Sequence, residues 1–175
     1  MRSARQVTAA LLVAVAAFTI SCSDRATPTA PVTPPQADLI GGLLQATGLL
    51  KCSALPYDSV TQTIGPLGGT IQVGPHFLVV PFGALSAPTT ITATLPQGQG
   101  VNAIRFQPEG LQFARPAYLN MSYANCNLLG RLLPKRIAYT TDLLQILDYL
   151  ISLDNLFTKR VTGRINHFSE YVVSW

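Results

Sequence analysis

Few residues in this chain could do chemistry. It has three cysteines, two histidines and 8 acidic residues among 175. The cysteines are Cys22, Cys52 and Cys126, and the histidines are His76 and His167. Zinc sites commonly draw ligands from close pairs such as C-x-x-C, and these residues show no such spacing. Asp58, Glu109, Asp142, Asp148, Asp154 and Glu170 are scattered. There is no G-x-S-x-G elbow, no H-E-x-x-H and no Walker A sequence. Gly65 to Thr70 is glycine-rich but lacks a G-K-[ST] ending, so it reads as a hairpin turn. His76, within Gly74-Pro75-His76, reads as a turn or edge residue and not as a ligand. The sequence therefore predicts no catalysis, no cofactor and no metal.

Cys22 is the thiol with a clear chemical context. Arg2 and Arg5 make a positive start, and an uncharged, mostly apolar run follows from Val7 to Ile20. As a helix this run would span roughly 21 Å, short of a bilayer core of roughly 30 Å. It has the length of a signal-peptide core. Thr19-Ile20-Ser21-Cys22 resembles a bacterial lipobox, in which a small residue precedes a cysteine alkylated with diacylglycerol before cleavage. Thr19 stands where that motif usually has Leu or Val. The resemblance implies a signal peptide over residues 1–21 and a mature chain that begins at lipidated Cys22. Ser23 follows it, so no Asp adjoins the cysteine, which favours the outer membrane in a two-membrane cell.

Removing residues 1–21 from the 175 leaves 154, enough for one domain and a linker. Arg2 and Arg5 leave with the signal, so the mature chain is close to neutral. Its cations are spread along the chain without an aromatic-interleaved basic stripe, which argues against a nucleic-acid partner. With Cys22 used by the anchor, Cys52 and Cys126 remain as an even pair in an oxidising compartment. The expectation is a disulfide closing a loop of about 75 residues.

The elements that would carry these residues follow in order. Residues 22–38 form a tether, with Pro28, Pro31, Pro34 and Pro35 favouring extended polyproline II. It could reach roughly 50 Å and hold the domain clear of the headgroups. Residues 39–58 read as a short apolar helix and connector, the helix over Leu39–Leu50 packing back on the domain. From residue 59 to 175 the pattern is β, with short alternating runs punctuated by Gly and Pro. Ile71/Val73, Leu78/Val80, Ile91/Ala93/Leu95, Ile104/Phe106, Leu119/Met121/Tyr123, Ile137/Tyr139, Val161/Ile165 and Tyr171/Val173/Trp175 each set one face inward. Thr141–Leu156 is ambiguous, and a strand through Leu144–Ile151 is preferred to a helix. The predicted fold is all-β, an immunoglobulin-like two-sheet β-sandwich preceded by a short helical segment.

Within that pattern, Gly68-Gly69-Thr70-Ile71, Leu78-Val79-Val80-Pro81-Phe82-Gly83-Ala84-Leu85, Thr90-Ile91-Thr92, Pro108-Glu109-Gly110-Leu111-Gln112-Phe113 and His167-Phe168-Ser169-Glu170-Tyr171 resemble the ZU-five domain. That β-sandwich occurs in ankyrins, netrin receptors, tight-junction scaffold proteins and many bacterial exported proteins. The matching pieces span Ser59 to Trp175. They are folding residues, so the resemblance implies the fold and transfers no partner. It also implies one reaction. His167-Phe168-Ser169 resembles the self-cleavage site of some ZU-five-containing proteins, where the serine hydroxyl attacks the preceding carbonyl and the histidine assists proton transfer. The plainer reading is that Phe168 fills core, His167 finds a hydrogen bond and Ser169 opens the last strand.

These readings converge on a lipid-anchored β-sandwich serving envelope structure or protein interaction, with an unidentified envelope protein as partner. A self-cleaving domain cutting between Phe168 and Ser169 and an envelope glycan-binding module are the alternatives. A Cys22→Ala chain is expected to lose the processing and membrane fractionation of the parent. Intact mass of the mature protein checks acylation and cleavage together: diacylglycerol on the N-terminus is expected, and an uncut chain excludes self-cleavage.

Overall fold

Alternation of apolar and polar residues is the pattern of strands buried on one face, and eleven short strands realise it. The computed structural model describes residues 48–128 and 133–175. The strands are β1 (Asp58–Ile64), β2 (Gly69–Val73), β3 (His76–Val80), β4 (Thr89–Leu95), β5 (Ala103–Gln107), β6 (Gln112–Ser122), β7 (Arg136–Thr140), β8 (Ile146–Tyr149), β9 (Ser152–Asn155), β10 (Arg160–His167) and β11 (Glu170–Ser174). They form a six-stranded sheet ordered β1-β4-β5-β11-β7-β8 and a five-stranded sheet ordered β2-β3-β6-β10-β9. Every pairing is antiparallel. This is the two-sheet β-sandwich that the sequence predicts.

The inward residues are those the alternation names. Ile71, Val73, Leu78, Val80, Ile91, Ala93, Leu95, Ile104, Phe106, Leu119, Met121, Tyr123, Ile137, Val161, Ile165, Tyr171 and Val173 join one core. Tyr139 and Trp175 pack against it half-buried. An aromatic group pins one end. Phe106 stacks on Phe168 at 4.8 Å, and Phe113 meets Phe168 edge-on at 5.0 Å, both within the favourable range for aromatic pairs. Gly110, with φ of 74°, turns the chain so that Leu111 and Phe113 return towards the core. After Gly83, Ala84 and Leu85 are buried and close the sandwich at the same end.

One expectation needs correction. The predicted helix over Leu39–Leu50 lies mostly outside the described residues, but its last turn is not helical. Gly48 takes a left-handed φ of 79°, which interrupts a helix. Leu49 then makes an antiparallel bridge to Ser174, and the Leu50 N–H donates to the Val173 carbonyl at 3.2 Å. The chain thus enters as an extended segment beside β11. The strand preferred through Leu144–Ile151 is present as β8, Ile146–Tyr149. Thr141–Leu156 holds two, β8 in the larger sheet and β9 in the smaller, with Leu150 and Ile151 crossing between them.

A feature outside the alternation is a second, smaller core on the outer face of the six-stranded sheet. Val172, Ala138 and Ala103 point away from the main core and are covered by Leu49 and Val101, with Leu144 and Ile146 packed against them. All five residues of β11 are therefore buried.

The Cys52–Cys126 disulfide is present, with a sequence separation of 74. Backbone bonds flank it: Ser53 N–H to the Asn125 carbonyl (2.9 Å), Asn127 N–H to the Lys51 carbonyl (2.8 Å) and Cys52 N–H to the Gly100 carbonyl (2.8 Å). Beside it Asn102 and Asn125 exchange amide hydrogen bonds at 2.7 and 3.0 Å. The entry segment is thereby fixed to the end of the sandwich where β6 finishes. Replacing both cysteines by serine is expected to cost about 4 kcal/mol by the loop-closure relation. Urea unfolding with and without reductant checks this.

Candidate functional site

Three places hold the polar or apolar groups from which function could be built. The first is the His167-Phe168-Ser169 segment between β10 and β11. Phe168 fills core, and both its backbone groups are used. Its N–H donates to the Leu111 carbonyl (2.9 Å), and its carbonyl accepts from the Gly110 N–H (3.0 Å). The His167 ring stands edge-on to Tyr139 at 5.3 Å, with Nδ1 3.4 Å from the Tyr171 hydroxyl. That hydroxyl also donates to the His167 carbonyl. Burial pushes the Tyr171 hydroxyl well above its ordinary pKa, with Tyr139 adding to the shift, so it stays a donor. Ser169 is half-buried, and its carbonyl accepts from the Phe106 N–H at 3.3 Å. The ring contacts of His167 are thus to two tyrosines.

Ser169 also lines the second place, a cleft of about 540 Å³ on the outer face of the six-stranded sheet. Strand register builds it: Glu170 of β11 lies opposite Arg105 of β5 on one side and Thr140 of β7 on the other. Arg105 donates from Nε (3.0 Å) and Nη2 (2.5 Å) to one carboxylate oxygen of Glu170 and lies 3.0 Å from Asp142. The hydrogen bond to Glu170 is the first cause that raises the guanidinium pKa. The Glu170 side chain is 2% exposed. Its other oxygen and the Thr140 hydroxyl are buried without partners. Because one oxygen is unpartnered, the pairing with Arg105 offsets only part of the cost of burying this carboxylate.

The third place is the flank where β8 and β9 end their sheets. Leu143, Ile151 and Leu153 are 81%, 78% and 79% exposed, and Leu147 and Leu156 are exposed too. At the tip of the β9–β10 turn Phe157 is fully exposed. The backbone beneath these side chains is tightly held. The Ile137 N–H donates to the Ser152 hydroxyl (3.1 Å), the Lys135 N–H to Asp154 (2.7 Å) and the Leu150 N–H to the Ile137 carbonyl (2.8 Å). The opposite flank, β1 and its neighbour β4, instead carries a ladder of hydroxyls. Ser59–Thr94, Thr61–Thr92 and Thr63–Thr90 pair at 3.0, 2.9 and 3.1 Å. The two flanks of one sandwich therefore differ sharply in polarity.

His76 is not the turn or edge residue that the sequence predicts. It opens β3 fully buried, and its Nδ1 accepts from the Ser122 N–H at 3.0 Å. The proton is accordingly assigned to Nε2, which is buried without a partner. Among the described residues no group of three or more His, Cys, Asp or Glu could hold a metal. Cys22 and its tether lie outside the described residues. No helix among the described residues is long and apolar enough to cross a membrane. No protein-family model and no curated protein matches the chain.

The buried imidazole gives a pH prediction. Burial, and secondarily the Arg160 charge, lower its pKa to about 4, against about 6.5 unfolded. Above pH 6.5 neither state is protonated and stability is full. As pH falls towards 4 the unfolded chain takes a proton that the folded chain refuses. This group alone then costs up to about 3 kcal/mol. His76→Asn keeps an acceptor and removes the titration. It is expected to flatten that part of the stability curve in urea unfolding between pH 7 and 4.

Proposed function

We propose that the chain is a lipid-anchored β-sandwich of the bacterial envelope, held through diacylglyceryl-Cys22, whose β8–β9 flank docks an envelope protein with a complementary apolar surface. The single observation carrying this reading is that Leu143, Leu147, Ile151 and Leu153, in and beside the edge strands β8 and β9, are all exposed. Apolar side chains that stay in water on a well-bonded scaffold cost solubility and add nothing to the fold. Their ordinary role is association. Rigid strands present them, so little ordering entropy is lost on binding. The hydroxyl ladder on the opposite flank shows that the same architecture can be made polar at its margin, and it supports a one-sided surface. The anchoring half rests on the charged start, the apolar run and the Thr19-Ile20-Ser21-Cys22 sequence.

The ZU-five resemblance is part of the same proposal. It is supported by the positive φ of Gly83 and Gly110 and by the burial of Phe168, three residues of the resembling segments. No catalytic step is needed for the role.

Photo-crosslinkers placed at Leu147 and Leu153 are expected to trap one recurring envelope protein, while the same group at Thr61 traps none. Leu153→Glu is expected to abolish that adduct. Its effect on unfolding should stay within about 0.5 kcal/mol, since the side chain is solvent-exposed. Equal trapping from both flanks would defeat the docking reading.

A further inference from the structure

The tip of the β9–β10 turn stands apart from the flank in two ways. It lies at the end of the sandwich where the chain enters, and it is held rigidly. The Tyr123 N–H donates to the Lys159 carbonyl (2.9 Å), and the Tyr123 hydroxyl donates to Asp154 (2.6 Å). Cys126 donates back to the Tyr123 carbonyl at 3.0 Å. One hydrogen-bonded patch therefore joins the tip to the Cys52–Cys126 staple. Within the tip, the Asn155 side-chain oxygen accepts from the N–H groups of Phe157 and Thr158, both at 3.1 Å. Such an Asx turn fixes a loop without burying its side chains. Phe157 is left fully exposed with Leu156 exposed beside it, and the exposed Lys159 follows two residues on. Leu133, just ahead of β7 at the same end, is 54% exposed.

We propose that this end of the sandwich is a lipid-facing surface, with Phe157 and Leu156 seated in the bilayer interface and Lys159 among the headgroups. The inference rests on the reading that Cys22 carries the anchor. Exposed apolar and aromatic side chains beside a cation, here Leu156 and Phe157 beside Lys159, suit the boundary between headgroups and acyl chains. Residues 23–47 connect Cys22 to this end and to no other, because residues 48–53 are fixed there. The tether sets how far the domain can rise, and it also supplies a high effective concentration of membrane. A weak intrinsic affinity of the tip is then enough to bring the domain down. The docking flank would stand upright from the surface, clear of the lipid along most of its length.

The test uses the mature chain, residues 22–175, with Cys22→Ser, so that it does not depend on acylation. Phe157→Trp and Leu67→Trp are made separately in a Trp175→Phe background, which removes the native tryptophan. Leu67 is 83% exposed in the Gly65–Gly68 turn at the opposite end. Vesicles contain phosphatidylcholine and phosphatidylglycerol, with or without brominated acyl chains. The tryptophan at 157 is expected to shift its emission to shorter wavelength and to be quenched at least twice as strongly as that at 67. Phe157→Ser in the Cys22→Ser mature chain with its native Trp175 is expected to lower the vesicle-bound fraction about tenfold, as loss of a buried aromatic side chain implies. Equal quenching at the two ends, or unchanged binding of Phe157→Ser, overturns the proposal. Failure of the anchoring reading is separate: the envelope-purified protein would lack diacylglycerol by mass, whatever the quenching shows.

Discussion

The covalent and hydrogen-bonded closure at Cys52–Cys126 fixes where the described chain enters the sandwich. A disulfide across 74 residues of sequence removes much of the freedom of the unfolded loop. Its neighbours turn that gain into a defined geometry. Asn102 and Asn125 satisfy each other's amides, and their remaining donors reach the Ser122 and Ser53 carbonyls, both at 2.7 Å. Buried amides are costly unless fully partnered, so such a pair admits one arrangement of three chain segments. The entry segment is therefore a fixed part of one end of the sandwich. The position of every other surface relative to the incoming chain follows from that.

Two layers of apolar side chains then divide the work of holding the sheets. The main core is the usual sandwich interior, with the Phe106, Phe113 and Phe168 rings packed at one end. The second, around Val172 and Ala138, buries the opposite face of the same sheet under the entry segment. Small residues at Ala103 and Ala138 let Leu49 approach the sheet closely. Because both layers share β11, detaching the entry segment would expose apolar surface on the central strand. The cleft row Arg105–Glu170–Thr140 completes the outer face of that strand with polar groups.

The exposed side chains oppose this economy. Ser152, Asp154 and Asn155 beside these exposed residues accept hydrogen bonds from the Ile137, Lys135 and Phe157 N–H groups, which ties the segment to its neighbours. Burial of apolar area contributes roughly 25 cal/mol per Å², and the fold forgoes that contribution here. The hydroxyl pairs of β1 and β4 show the opposite choice on the other flank.

Much of this was legible in the chain itself. Period-two alternation determined which face of each strand is buried, because side chains of a strand point alternately to its two sides. The even cysteine pair pointed to the disulfide, and the plainer reading of His167-Phe168-Ser169 placed Phe168 in the core. Local pattern could not show what lies across space. The unbroken run Tyr171-Val172-Val173 carried a signal of burial on both faces, yet nothing in it named Leu49 and Val101 as the cover. His76 looked like a turn residue because Gly74 and Pro75 precede it. Its burial was decided by β6, whose Ser122 lies 46 residues away and supplies the N–H it accepts. The Leu-rich stretch 141–156 was ambiguous, with a strand through Leu144–Ile151 preferred to a helix. Only the pairing of β8 with β7 and of β9 with β10 placed its side chains outside. The sequence by itself determined an all-β chain with alternating faces and a matched pair of thiols, since these depend on neighbours along the backbone. Tertiary structure alone decided which apolar residues stay in water and which end receives the chain, since both depend on contacts between segments far apart in sequence.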